Sequence, residues 1–397
     1  MAMPSLSCQK HLFMLEPGAH YLNGAAYSPT LRQSVENGQA ALLVKAERPF
    51  SIAPQHHFDT AGRLRHLFSE LIRAGDPERI ALIPAASYGM GVVAQNLPRW
   101  PGIRHKKHIL LLQEDFPNNV YAFGRVAAQL GLSIKTLDKS ATPEGRGAAW
   151  NAALLQAIDA DTALVVAPPV HWIYGTLFDL EALGQRCRAV GALLAIDASQ
   201  AAGIMPLDVQ AIQPDALISA GYKWLLGPYG TSVAYFGAFF DEGIPLEEGW
   251  MNRLESDQFA RLTHYQSAYR PKAQRYNAGE YSQFIQLPML EAALTQLLDW
   301  QVPDMQAYCR RLTAPFLEQW QDLGCRLEEP AYRAPHLFGL GLPAAVDTHQ
   351  LLEQLAARRV YASLRGGALR VSVNVYNDAA DLEALTTVLR ETLQGPG

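Results

Sequence analysis

The chain has 397 residues, a formal net charge of −5, 49% apolar residues and 18% charged ones. That is the profile of a folded chain with material for a sizeable core, and it excludes a disordered one. Lys and Arg are scattered with no basic block, which excludes nucleic acid as the main partner, and no apolar run reaches the roughly 20 residues of a membrane span.

Four cysteines, Cys8, Cys187, Cys309 and Cys325, lie far apart and make neither a CxxC pair nor a metal-ligand spacing. Met1 to Glu16 has no uninterrupted apolar core of the kind a signal peptide needs. We therefore expect a cytoplasmic protein with reduced thiols, no membrane partner and no metal.

In chain order, residues 1–20 read as an irregular arm. Tyr21 to Pro29 is a short extended piece ending in a small-residue turn, after which Thr30 is placed to cap a helix through about Lys45. Phe58 to Ala74 is amphipathic, with Leu64, Leu67, Phe68, Leu71 and Ile72 on one side, and stops at Gly75-Asp76-Pro77. Arg79 to Ile83 has the length of a buried strand, and Pro84 to Gly91 leads through small residues into a helix ending near Leu97. Such a turn presents free N–H groups and the positive end of a helix dipole, which suits a phosphate. Ser87 is either part of that cradle or an ordinary N-cap. Gly89 and Gly91 lack the third glycine of a dinucleotide fingerprint, which leaves a nicotinamide dehydrogenase little support.

Strands and helices keep alternating: a strand His108 to Gln113, a helix to about Leu130, a strand Leu132 to Leu137, a helix Ala148 to Ile158 and a strand Ala163 to Ala167. The helix Leu180 to Arg188 and the strands Ala192 to Ile196 and from Ala216 follow. This pattern predicts an α/β fold with a largely parallel sheet. Ligands of such sheets sit beyond the carboxyl ends of the strands. Those positions carry Ser87-Tyr88, Asp115-Phe116, His171-Trp172, Asp197 with Gln200, and Tyr222-Lys223, a set that converges on one crevice.

Lys223 is one of eight lysines and the one fenced by aromatics and glycines, in Gly221-Tyr222-Lys223-Trp224. Desolvation lowers a lysine pKa, and a neutral amine forms a Schiff base with an aldehyde. Its plain alternative is a lysine snorkelling from a strand end.

From about Leu287 a long helix bridges to a smaller C-terminal part holding Tyr308 to Leu323, a strand near Leu337 to Leu340, a helix Thr348 to Arg359, and Leu369 to Tyr376. In the last segment Leu369, Val371, Val373 and Val375 alternate with Arg370, Ser372, Asn374 and Tyr376. Arg370 is thus either solvent-facing or a carboxylate clamp.

Through Asp197-Ala198-Ser199-Gln200, Ser219-Ala220-Gly221-Tyr222-Lys223 and the closing Leu369-Arg370-Val371-Ser372 with Tyr376-Asn377, the chain resembles the class V aminotransferase family of pyridoxal-phosphate enzymes. That family includes cysteine desulfurases, kynureninase and isopenicillin-N-epimerase-like proteins, and the resemblance runs from about Tyr21 to the end. It implies a fold-type I α/β architecture: an arm over 1–20, a large cofactor domain over 21–286, and a bridging helix with a small α+β domain over 287–397. The N-terminal segment is free to pack with that small domain. It implies pyridoxal 5′-phosphate as cofactor and a homodimer with shared active sites.

Residue by residue, the resemblance makes Lys223 the lysine that holds the cofactor and shuttles protons at the substrate Cα. Asp197 matches the carboxylate on the pyridine nitrogen, and Gln200 the residue on the phenolic oxygen. Ala86, Ser87 and Tyr88 match the phosphate turn, and Tyr222 a tyrosine reaching the same phosphate. Phe116 lies where a group stacks on the ring, and His171 where one touches its face or oxygen. Gly279 and Glu280, in Asn277-Ala278-Gly279-Glu280, match a segment lent across the dimer to the partner's phosphate; the usual threonine is missing, which leaves a backbone contact. Arg370 matches the arginine on the substrate α-carboxylate. Tyr27, Trp172 and Tyr276 are candidates for the side-chain pocket and hint at a bulky or apolar substrate.

One departure separates functions. Desulfurases carry a catalytic cysteine on a loop just before that arginine, whereas Val360 to Arg370 is short and has none. The expectation is an enzyme acting at Cα of a small-molecule α-amino acid through an external aldimine, an aminotransferase first, with a β-lyase or an epimerase as alternatives. A catalytically idle cofactor-binding protein is the reading from another class.

Overall fold

The structure is a computed structural model that describes residues 6–139 and 143–394. The first five residues of the expected arm lie outside the described residues. In chain order the elements are β1 (His20–Tyr21), α1 (Arg32–Glu47), α2 (His56–Leu71), β2 (Ile80–Ile83), α3 (Ala86–Asn96), β3 (His108–Leu112), α4 (Pro117–Leu130) and β4 (Ser133–Leu137). There follow α5 (Arg146–Ala157), β5 (Thr162–Ala167), α6 (Leu180–Val190), β6 (Leu193–Asp197), α7 (Val209–Ile212), β7 (Ala216–Ala220) and β8 (Ser232–Phe236). The chain closes with α8 (Gln286–Trp300), α9 (Val302–Asp322), β9 (Leu337–Gly341), α10 (Thr348–Ala357), β10 (Val360–Tyr361), β11 (Ser363–Arg365), β12 (Ala368–Ser372) and α11 (Ala379–Gln394).

Seven strands form the main sheet in the order β2-β8-β7-β6-β5-β3-β4, and every neighbouring pair is parallel except the two that involve β8. Helices cover both faces, which is why β2, β3, β5, β6 and β7 are buried at every position and read as continuous apolar runs. Successive side chains feed two separate cores. Leu110, Val165, Leu194 and Leu217 pack on one face, and Ile109, Leu164, Ala195 and Ile218 on the other.

β8 has no counterpart in the sequence reading. It returns antiparallel between β2 and β7, and the loop between β7 and β8 is the one that carries Lys223. α11 was also not anticipated. Thr30 does not cap α1: the N-cap is Leu31, with no side-chain cap bond.

A second sheet, β11-β12-β9, is antiparallel throughout. The period-two reading of Leu369 to Tyr376 requires one exposed face, and the structure has none, because residues 368–377 are all buried. The N-terminal segment covers the polar face. β1 pairs parallel with β10, Leu22 O accepts the Ser372 amide at 2.9 Å, and Asn23 bridges Ser372. No helix among the described residues is long and apolar enough to cross a membrane.

Candidate active site

Lys223 sits at the carboxyl end of β7, in a loop closed by Gly221 N to Thr231 O at 3.1 Å, Gly227 N to Gly221 O at 2.8 Å and Leu226 N to Lys223 O at 3.1 Å. Gly221 has no alternative, since a Cβ there would lie 2.3 Å from the Thr231 carbonyl oxygen. Beneath the loop Trp224 is buried and donates its indole N–H to Gln200 Oε1 at 2.8 Å. Lys223 is left 7% exposed, its Nζ 5.2 Å from the Phe116 ring centroid and 5.8 Å from that of Tyr222. Burial lowers its pKa to about 8. The Asp197 carboxylate pulls the other way, and Arg370 adds to the lowering. A snorkelling surface lysine does not fit this burial.

Asp197 ends β6. Its Oδ1 accepts the Ser199 amide at 3.0 Å, and its Oδ2 accepts from Asn119 Nδ2 at 3.2 Å. The same amide nitrogen donates to Asp115 Oδ1 at 3.1 Å, which also takes the Phe116 amide at 2.7 Å. Asp115 Oδ2 and Asn119 Oδ1 are buried without a partner. Burial, reinforced by the Asp197 charge, pushes Asp115 up to about 7. Asn119 was missed in the sequence because an asparagine in the first turn of a helix reads as a local capping residue.

Gln200 is buried with its Oε1 on Trp224 and one N–H donated to Ala25 O at 3.1 Å, which leaves the second N–H free. Its backbone carbonyl accepts from His336 Nε2 at 2.9 Å, and His336 Nδ1 lies 2.8 Å from Gln306 Nε2. That chain joins α9 to the Gln200 turn.

Arg370, on β12, is 3% exposed, and the solvent-facing alternative falls. It donates to the Trp172 carbonyl at 3.2 Å and to Asn23 Oδ1 at 3.3 Å, while Nε has no partner. Burial, with Arg365 adding to it, lowers its pKa to about 10.

The α3 N-terminus opens on Ala86, Ser87 and Tyr88 at the carboxyl end of β2. Ala85 is the N-cap with no side-chain cap bond, so Ser87 is not the cap and stands exposed in the first turn. Tyr222 is half-buried in a cluster with Tyr27 and Tyr229, at centroid distances of 5.6 and 4.6 Å. Phe116 meets Trp172 edge-on at 5.4 Å.

Two expected residues, His171 and Tyr276, lie in the core and not in this group. His171 is wholly buried between Trp150 and Tyr174, stacked on the latter at 5.2 Å, and burial drops its pKa to about 3. Its neighbour Trp172 is the residue that meets Phe116 and Arg370. Tyr276 is a core residue packed on Phe236, with its hydroxyl on the Phe240 carbonyl, so it lines no substrate pocket. Within the chain Gly279 N donates to Glu247 Oε2 at 2.6 Å, and Glu280 is exposed. Among the described residues no group of three or more His, Cys, Asp or Glu is placed to hold a metal ion.

The donor set fits pyridoxal 5′-phosphate at each of its three reactive regions. Its aldehyde needs an amine with an appreciable neutral fraction, as Lys223 has. Its ring nitrogen needs a buried carboxylate, as Asp197 is. Its phosphate needs amide N–H donors, which Ala86 and Ser87 present in the first turn of α3, while the Tyr88 amide donates to Ala85 O at 3.0 Å.

Comparison with known proteins gives the same direction. A curated relative, the uncharacterized aminotransferase YcbU of Bacillus subtilis (strain 168), is 24% identical over 332 residues, 83% of each chain. The apo cysteine desulfurase of Thermococcus onnurineus NA1 superposes with a TM-score of 0.83 at 20% identity, over 99% of this chain and 100% of that one. The C-DES lyase, in a mutant with glycine covalently linked to its PLP cofactor, superposes at 0.83 and 20% identity over 97% and 99% of the two chains. The sequence profile described as Aminotransferase class-V matches residues 20–385. The chain belongs to the class V aminotransferase family, whose cofactor is pyridoxal 5′-phosphate.

Proposed function

We propose that the protein is an aminotransferase acting at Cα of a small-molecule α-amino acid, working as a cytoplasmic homodimer with shared active sites. The observation that supports this reading is the buried Lys223 amine, set over the Phe116 ring at the end of β7, with the Asp197 charge raising its pKa and the Arg370 charge lowering it. When bound, the cofactor supplies an electron sink for a substrate joined to it through the amino group.

The chain's own residues do the rest. With a pKa of about 8, Lys223 has an appreciable neutral fraction near neutral pH, so its Nζ can take a proton from the substrate Cα and return it. Asp197, held from both sides by Ser199 and Asn119, keeps a proton on the ring nitrogen. The free N–H of Gln200 serves the phenolic oxygen. Arg370, aimed by Trp172 and Asn23, grips the α-carboxylate. Ala86, Ser87 and Tyr88 would hold the phosphate together with Tyr222, Phe116 would lie against the ring, and Tyr27 would border the substrate. Gly279 and Glu280 would border the phosphate held by the partner subunit, with the Gly279 amide kept within the chain by Glu247. His171 supports the site from the core through its neighbour Trp172.

A persulfide-forming desulfurase is not supported. Cys187, Cys309 and Cys325 are buried with thiols pushed up to about 12, 12 and 11, and Cys8 lies in the N-terminal segment. β11 and β12 are joined by Gly366 and Gly367 alone, which leaves no loop for such a cysteine. The test is a product assay on the PLP-loaded protein with a panel of L-amino acids. A keto acid retaining the substrate skeleton, with conversion of the cofactor to its amine form, supports the reading. Pyruvate and ammonia without that conversion reassign it as a β-lyase, loss of chirality as an epimerase, and no product from any amino acid as an idle cofactor-binding protein.

A further inference from the structure

We propose that Arg365 forms a second carboxylate subsite beside Arg370, so that the substrates are α-amino acids with an acidic side chain. The proposal deepens the reading above and rests on its assignment of Arg370 to the α-carboxylate.

The β11–β12 hairpin sets the geometry. Ser363 pairs with Arg370 and Arg365 with Ala368 across the two strands. Directly opposed residues share a face, and so do residues two apart on one strand. Ser363, Arg365, Ala368 and Arg370 therefore line one face, with Leu364 and Leu369 on the other. Gly366 and Gly367 take φ of 52° and 79°, the backbone of a tight two-residue turn, so the register cannot slide. Arg365 stands two residues nearer the turn than Arg370, and its Nη1 donates to the Leu364 carbonyl at 2.8 Å, which folds the side chain back along its own strand.

The electrostatics of that face are unbalanced. After burial itself, the Arg365 charge is what lowers the Arg370 pKa, and Tyr21 acts against it. Two guanidinium groups on one strand face repel each other unless anions join them. The α-carboxylate of a substrate supplies one negative charge, which leaves the second guanidinium without a counter-charge. Donor capacity is also left over: Arg370 Nε and Ser363 Oγ, on side chains 3% and 8% exposed, have no hydrogen-bond partner among the described residues. Arg365 is exposed at the hairpin tip and open to an incoming side-chain carboxylate. Of the three aromatics that hinted at an apolar substrate, Tyr276 lies in the core and lines no pocket.

The experiment uses the PLP-loaded protein and two readouts. By calorimetry, glutarate should bind about tenfold or more tighter than butyrate, and Arg365→Gln should remove most of that advantage. In kinetics, Arg365→Gln should lower kcat/KM for L-aspartate and L-glutamate about tenfold more than for L-alanine. Equal binding of the two acids by the unaltered protein, or a parallel loss for both in the variant, overturns the second subsite. Arg370→Lys separates this failure from failure of the underlying reading. If it weakens all amino acids while Arg365→Gln shows no selectivity, the clamp stands and the subsite falls. If it weakens none, the clamp assignment itself falls and takes the subsite with it.

Discussion

Asn119 donates one amide nitrogen to Asp197 at 3.2 Å and to Asp115 at 3.1 Å, so a single buried NH₂ group spans two carboxylates. Removing it leaves both buried acids short of a donor. Asn119→Ala should cost about 1.5–3 kcal/mol in urea denaturation, the range for hydrogen bonds to charged groups. It should also loosen cofactor retention, measured by the PLP remaining after dialysis. Unchanged retention would show that Asp197 needs no such support.

Asp115 itself has a pH signature. Its pKa in the folded protein, about 7, lies above its ordinary 3.8. Between those values the folded state binds more protons than the unfolded one, so this group's contribution to stability is present at low pH and is lost as pH rises from about 4 to 7. Asp115→Asn should remove that slope and be more stable than the parent at pH 8. Identical pH profiles for parent and variant would contradict the burial of this acid.

For Lys223 the sign follows from the opposite shift. A folded pKa of about 8 against an ordinary 10.5 means that the unfolded chain holds the extra proton between those values. Stability of the cofactor-free protein should rise with pH across that window. Lys223→Met should stabilise the apo form by about 1–3 kcal/mol at pH 7, with the gain shrinking towards pH 10.5. The same variant should give no visible band that borohydride removes, however much PLP is added, and a persisting band would place the attachment elsewhere.

Arg370→Ala should weaken amino-acid binding by about 2–5 kcal/mol, as for one partner of a buried charge pair. The loss should appear in kcat/KM, with PLP retention little changed. An unaltered KM would remove Arg370 from the substrate.

Gly221→Ala drives a Cβ to 2.3 Å from the Thr231 carbonyl, a backbone atom that cannot step aside. Overpacking of this kind typically costs about 1–3 kcal/mol. Thermal melting should show the loss, together with slower PLP reconstitution because the Lys223 loop is displaced. A melt and reconstitution rate equal to the parent's would mean that the β7–β8 loop relaxes freely.

Local pattern alone determined the alternation of strands and helices, and with it the α/β class and the positions of Ser87, Asp115 and Lys223 just past strand ends and of Asp197 at one. Short apolar runs and small-residue turns are properties of neighbouring residues, so they can be read without knowing the path of the chain. The same reading failed at β8, a short run whose antiparallel place depends on β2 and β7 already standing on either side. At Arg370 alternation left solvent and a carboxylate clamp both open, and burial removed the first.

Tertiary structure decided what the polar groups face. Arg370 and Asn23 are 347 residues apart, Asn119 and Asp197 are 78 apart, and Gln200 and Ala25 are 175 apart. Periodicity says which side of a strand a residue is on, but its partner is set by whichever segment covers that side. Here residues 20–25 close over β12, bury a row of polar side chains and turn an arginine that alternation left open to solvent into a buried, half-satisfied cation. The charge was written in the sequence, and its environment came from a segment at the other end of the chain.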